Sequence, residues 1–338
     1  MSAVSRITLF LLASFLVAFN ASAWDRGKVE RFATLPAGAP HIEGITVDDR
    51  NGDVYVTGFN PTATSGNGQL FVFDSDGNLK RKFFVAGSSP ALLGLAFHPM
   101  TRQLLVIDFG AGNVLAVNPL NGDSAVFSAI PGGGLNALTF DRDGNVYISD
   151  SFRGTIWRTG PKGGSATNWK TDPLLATTGF PPFGANGVDF NGNQSVLFVA
   201  NTGNDTVVAI AKNGDVAGAA TVFTESINGA DGLFVDEHDN VWVCANQSDE
   251  IVVVDKTGKA ISKLGDFDGI KDGKVVGLLF PASLARHGDS IYITNLALDT
   301  RTIGLPQSIV SQYAAQVTRQ TVSRIRARVL GFKHGDDD

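Results

Sequence analysis

The chain has 338 residues, 43% of them hydrophobic and 18% charged, with 39 Gly, 13 Pro and one Cys. That apolar fraction excludes a disordered chain, and one Cys excludes a disulfide framework or a multi-Cys zinc site. Lys+Arg number 27 against 33 Asp+Glu, for a net charge of −6. This acidic balance argues against nucleic acid as a partner, because backbone binding needs a basic face.

The first element is an address. Residues 1–23 read as a secretory leader: Arg6, an apolar run from Ile7 to Phe19, then Ala21-Ser22-Ala23 as a small-residue cleavage pattern. No later stretch is long and apolar enough to cross a membrane. The expected product is periplasmic or extracellular and free of the membrane once the leader is cut. Residues 24–332 are expected to form one domain, and 333–338 a disordered tail.

Six copies of one pattern follow. They begin at Glu43-Gly44-Ile45-Thr46-Val47, Leu93-Gly94-Leu95-Ala96-Phe97, Asn136-Ala137-Leu138-Thr139-Phe140, Asn186-Gly187-Val188-Asp189-Phe190, Asp231-Gly232-Leu233-Phe234-Val235 and, more weakly, Pro281-Ala282-Ser283-Leu284-Ala285. The copies recur every 43 to 50 residues. Each continues into a second β-rich run, most into a third, and several into a fourth. Asn51-Gly52, Asn121-Gly122 and Asp143-Gly144 are hairpin signals between such runs. Four strands per repeat at this period predict an all-β, six-bladed β-propeller, whose blades must stack to bury their faces. Val29 to Leu35 is expected to complete the last blade, beside a strand over 321–329. Residues 307–320 carry apolar positions at helical spacing and predict a short helical insertion. Cys244 lies in the alternating run Val241-Trp242-Val243-Cys244 and reads as a small buried hydrophobe.

Propeller geometry converts register into position. The first residue of each copy is expected at one mouth of the central channel: Glu43, Leu93, Asn136, Asn186, Asp231 and Pro281. Two carboxylates and two amides converging there make a site for a hard cation, and the carboxylates would repel each other without one. Asp48, Asp141 and Asp236 follow the innermost strand and are explained by turn chemistry. A second ring of loops, with Asn60, Asp108, Asp150, Arg153, Asn201, Asn204, Asn246 and Asn295, predicts a polar rim for a small hydroxylated or carbonyl-bearing molecule. His41, two residues before Glu43, is a candidate proton shuttle. Nucleophile-elbow and phosphate-loop motifs do not occur.

These residues resemble the regucalcin–gluconolactonase (senescence marker protein-like) family over roughly residues 40–300. Glu43-Gly44, Asn186-Gly187 and Asp231-Gly232 resemble its metal-ligand segments, and Asn136 its substrate-contacting Asn. The resemblance implies one divalent cation held by Glu43, Asn186 and Asp231: calcium foremost, with magnesium, manganese or zinc as alternatives. It also implies Asp231 as general base, Asn136 on the substrate, and a lactone hydrolase whose partner is a small lactone; Arg153 and Asn201 join the substrate contacts from the loop rim, and secretion from the leader. Members with sugar-lactonase activity often have Arg two positions before the Asn, where this chain has Gly134. A non-enzymatic ligand-binding propeller, or a lyase or strictosidine synthase-like enzyme on the same scaffold, are the rival readings.

Overall fold

A computed structural model describes residues 25–327. The leader over 1–23 and the tail over 333–338 lie outside the described residues. Six four-stranded antiparallel sheets form the six blades. Their innermost strands are His41–Val47, Leu92–Phe97, Leu135–Phe140, Ala185–Phe190, Ala230–Val235 and Pro281–His287. Each innermost strand touches those of the blades on either side, and the last touches the first, so the ring is closed.

Burial follows strand order within each blade. The second strands, such as Val54–Phe59 and Val241–Ala245, are buried along their whole length because blades cover both of their faces. Outermost strands such as Leu79–Phe84 alternate between exposed and half-buried positions. Rings lock neighbouring blades edge to face, as Tyr55 on Phe97 (centroids 5.2 Å apart) and Tyr147 on Phe190 (4.9 Å). Fully burying one such side chain contributes about 1.5–3 kcal/mol.

The last blade closes the circle with chain from both ends. Its order from the outside is Glu30–Thr34, Thr321–Arg326, Ser290–Asn295, Pro281–His287. Glu30 and Arg324 face each other across the closing pair and form an ion pair at 2.9 Å. The expected closure therefore stands. One element is unanticipated: a hairpin, Phe267–Lys271 with Lys274–Gly277, stands outside the blades. Its Val275 packs in the cluster that also holds Leu279, Val310 and Ala314.

The helical insertion shrinks to one turn, Ser311–Ala314, preceded by a 3₁₀ turn at Thr300–Ile303. Val310 and Ala314 turn inward while Ile309 and Tyr313 stay 70% and 40% exposed, so the segment packs on the ring by one edge only. Among the described residues no helix is long and apolar enough to cross a membrane.

Candidate functional site

In every blade the register between the first two strands slips at the same place: between Ile42 and Ile45, Leu92 and Leu95, Leu135 and Leu138, Ala185 and Val188, Ala230 and Leu233, and Pro281 and Leu284. Such slips re-aim a side chain out of the pleat. The re-aimed residues are Glu43, Leu93, Asn136, Asn186, Asp231 and Ala282. The sixth position thus belongs to Ala282 rather than Pro281, which pairs with Asn295 in the ladder. The weak sixth copy misled by one residue because Ala282-Ser283 replaces the acid-or-amide-plus-small pair of its neighbours.

The residue after each ring position is small for a steric reason. A Cβ on Gly44, Gly187 or Gly232 would stand 2.2, 2.5 or 2.6 Å from the carbonyl oxygen of Leu93, Asp231 or Ala282 in the next blade. The blades can converge this closely only with glycine or a small residue there. Across the slip, the second strands carry hydroxyls that stitch blade to blade. Thr57 Oγ1 accepts from the Gly44 amide at 2.8 Å and donates to the Leu93 carbonyl at 2.7 Å. Thr294 Oγ1 accepts from the Ser283 amide at 3.1 Å and donates to the Glu43 carbonyl at 2.5 Å. Cys244 occupies the corresponding position opposite Asp231-Gly232 and is fully buried. Burial first, then the Asp231 and Glu43 charges, push its thiol well above the usual range, which keeps it inert.

Glu43, Asn136, Asn186 and Asp231 line one cavity of about 60 Å³, and all four are buried. Asn246 Nδ2 donates to Asp231 Oδ2 at 2.8 Å, while Asp231 Oδ1 has no hydrogen-bond partner. Glu43 Oε2 is likewise buried and unpartnered. Burial pushes the Asp231 carboxyl up to about 7 despite the pull of the Asn246 and Asn186 side-chain amides in the other direction. Burial, then the Asp231 charge, raise Glu43 well above the carboxylate range. Two orphaned carboxylate oxygens with two amides beside them are a donor set that suits a hard divalent cation.

Asn186 is steered by Thr202, whose Oγ1 accepts from Asn186 Nδ2 at 2.9 Å and donates to the Ala230 carbonyl at 2.8 Å. Sequence reasoning passed over Thr202. It placed Asn246 only on the polar rim, although the position follows the Cys244-Ala245 strand end and reaches Asp231 directly.

Most of that predicted rim proves architectural. Asn201 does not line the cavity: its Nδ2 donates to the carbonyls of Leu174 and Ala176, and its Oδ1 accepts from the Asn204 amide. Arg153 also lies outside it, donating to the Pro131 carbonyl at 2.8 Å and stacking on Trp157. Asp150 gathers the amides of Gly134, Phe152 and Arg153, and Asn295 holds the Leu279 amide. These side chains face loop backbone because the same turn recurs in each blade and its N–H groups need acceptors. His41 hydrogen-bonds the Leu296 carbonyl and does not line the cavity; burial lowers its pKa.

At the far end of the same strands Asp236, Glu237 and His238 bring three ligand atoms together. There Asp236 accepts from the His238 and Asn240 amides and from Trp242 Nε1, and Glu237 pairs with Arg286. That cluster is accounted for by turn and ion-pair chemistry.

Residues 114–265 match the family described as SMP-30/Gluconolactonase/LRE-like region. No curated protein matches the chain in sequence. Among solved structures, a luciferin-regenerating enzyme is similar with a TM-score of 0.63 and 15% identity, over 91% of this chain and 97% of that one. A calcium-binding regucalcin from Agrobacterium tumefaciens gives 0.60 and 16%, over 87% and 95%. A gluconolactonase from Xanthomonas campestris gives 0.59 and 13%, over 87% and 88%. At these identities the likeness speaks for the fold. The chain is thus a six-bladed propeller like these solved structures, and its middle segment, residues 114–265, is similar to the SMP-30/gluconolactonase family.

Proposed function

We propose that the protein is an exported, divalent-cation-dependent lactone hydrolase. The observation that carries this reading is the pair of buried, unpartnered oxygens, Glu43 Oε2 and Asp231 Oδ1, in one cavity with Asn136 and Asn186. Buried carboxylates left without a partner are costly, and a bound cation offsets that cost. Glu43, Asn186 and Asp231 would hold it, and when bound it supplies Lewis-acid polarisation of a carbonyl.

Asp231 acts as general base. Its carboxylate takes a proton from water as the water oxygen bonds to the lactone carbonyl carbon. The tetrahedral adduct then collapses with cleavage of the ring C–O bond. The departing alkoxide recovers the proton from Asp231, leaving an open hydroxy acid. Asn246 fixes the orientation of the Asp231 carboxylate through Oδ2. Asn136, on the same cavity wall, orients the lactone. Export is supported by the leader over residues 1–23, and N-terminal sequencing of the secreted product would read Trp24 first.

The test is a lactone panel on chelator-treated protein with calcium, magnesium, manganese or zinc restored. Hydrolysis that returns with one cation and is absent in Asp231→Asn supports the reading. Hydrolysis that survives both chelation and Asp231→Asn overturns it. A bound cation without turnover of any lactone identifies a ligand-binding propeller instead.

A further inference from the structure

The floor of the cavity is polar and its walls are carbon. Above Glu43, Asn136, Asn186 and Asp231 stand Phe59, Phe109, Phe183, Phe280, Leu298 and Ile303. The remaining polar lining groups are already engaged. Thr202 and Asn246 are bound to Asn186 and Asp231, and Thr300 Oγ1 donates to the Pro306 carbonyl at 2.6 Å. A polyhydroxylated ring would therefore give up water on its hydroxyls and find no partner on these walls. A ligand whose carbonyl reaches the acids and amides therefore sets the rest of its surface against carbon.

Three of these wall residues belong to a ladder of rings. Phe59 meets Phe109 edge-on at 6.3 Å, Phe109 meets Phe152 edge-on at 5.6 Å, and Phe152 stacks on Phe183 at 5.9 Å and 27°. Phe152 does not line the cavity itself but is 59% exposed and touches Phe109 and Phe183, which do. It fills the space a side chain at Gly134 would need, since a Cβ there would stand 2.5 Å from its ring carbons. Arg153 beside it is turned away onto the Pro131 carbonyl, so no cation interrupts the apolar face.

We propose that the site takes a lactone bearing an apolar alkyl or aryl substituent, its carbonyl on the acid and amide floor and its substituent along Phe109, Phe152 and Phe183. This inference rests on the hydrolytic reading above. The experiment compares γ-decanolactone, which carries a hexyl chain, with γ-butyrolactone and δ-gluconolactone, on wild-type protein and Phe152→Ala. Phe152 is exposed enough for its truncation to spare the fold. The expected kcat/KM for γ-decanolactone exceeds that for δ-gluconolactone by about tenfold or more. Phe152→Ala should then lower γ-decanolactone turnover about fivefold more than γ-butyrolactone turnover. The inference is overturned, with the hydrolytic reading intact, if δ-gluconolactone is the faster substrate or if Phe152→Ala affects the lactones alike. If no lactone is hydrolysed, the hydrolytic reading fails, and calorimetry with the inert lactam 5-hexyl-2-pyrrolidinone decides the apolar site separately. Binding weakened by Phe152→Ala upholds it, and no binding overturns it.

Discussion

Both ends of the innermost strands carry buried aspartates, and the two sets behave oppositely. At the turn end, Asp48 accepts from the Arg50 amide and guanidinium and from Arg102, and these partners hold its carboxyl down at about 2. Asp236 is fully occupied by two backbone amides and Trp242 Nε1. At the mouth end, Asp231 is bonded through one oxygen only and its carboxyl rises to about 7. Residue type and burial are shared; the count of partners separates them. A buried carboxylate whose acceptors are filled belongs to the architecture, and one with an acceptor left over is reserved for something the chain does not itself contain.

Substitutions on the two ends should therefore fail in different currencies. Asp231→Asn is expected to lower kcat/KM by about 10³-fold, the scale of a lost general base, while leaving thermal unfolding cooperative. Equal loss from Asp236→Asn would break the contrast. Gly232→Ala forces a Cβ to 2.6 Å from the Ala282 carbonyl, so the blades must part. A loss of about 3 kcal/mol in urea unfolding is expected, with activity falling in step. Asp236→Ala strips the acceptor from Trp242 and two amides. It should cost about 2 kcal/mol of stability yet keep KM, which chemical denaturation and kinetics together would read.

The smallest effect is a pH dependence of opposite sign at the two ends. Asp231 holds its proton more tightly folded than unfolded, its carboxyl being raised from 3.8 to about 7. Its contribution to stability is therefore present below pH 3.8 and lost as the pH climbs through 7. Asp48, lowered from 3.8 to about 2, contributes above 3.8 and loses it as the pH falls through 2. Cation-free protein should thus melt a few degrees lower at about pH 8 than at about pH 5, and a cation should recover more at the higher pH. A melting temperature that rises steadily from pH 5 to 8 without cation would count against the uncompensated charge at the mouth.

The propeller was legible because its unit repeats: small residues after each ring position and apolar, β-rich second strands recur in every blade, so each copy corroborates the others. The ring residues were legible for the same reason, and the sixth slipped by one where Ala282-Ser283 departs from the pattern. Single-copy features were not. The hairpin at 267–277 has no counterpart, and the helical spacing over 307–320 yields one turn because Ile309 stays 70% exposed and Tyr313, 40% exposed, meets the hairpin ring of Phe267. Loop polarity misled in another way. Asn201 and Arg153 stand at the right height in the sequence pattern, but their hydrogen bonds run to loop carbonyls. A sequence shows which residues reach a loop, while the direction a side chain takes there depends on which backbone groups lack partners.

The central claim is that Glu43, Asn186 and Asp231 share one divalent cation. A crystal soaked in manganese and measured for anomalous scattering tests it directly. The account predicts a peak at the channel mouth in contact with Glu43, Asn186 and Asp231, and its disappearance in Asp231→Asn. A mouth without a peak, or a peak at Asp236, Glu237 and His238 alone, would contradict it.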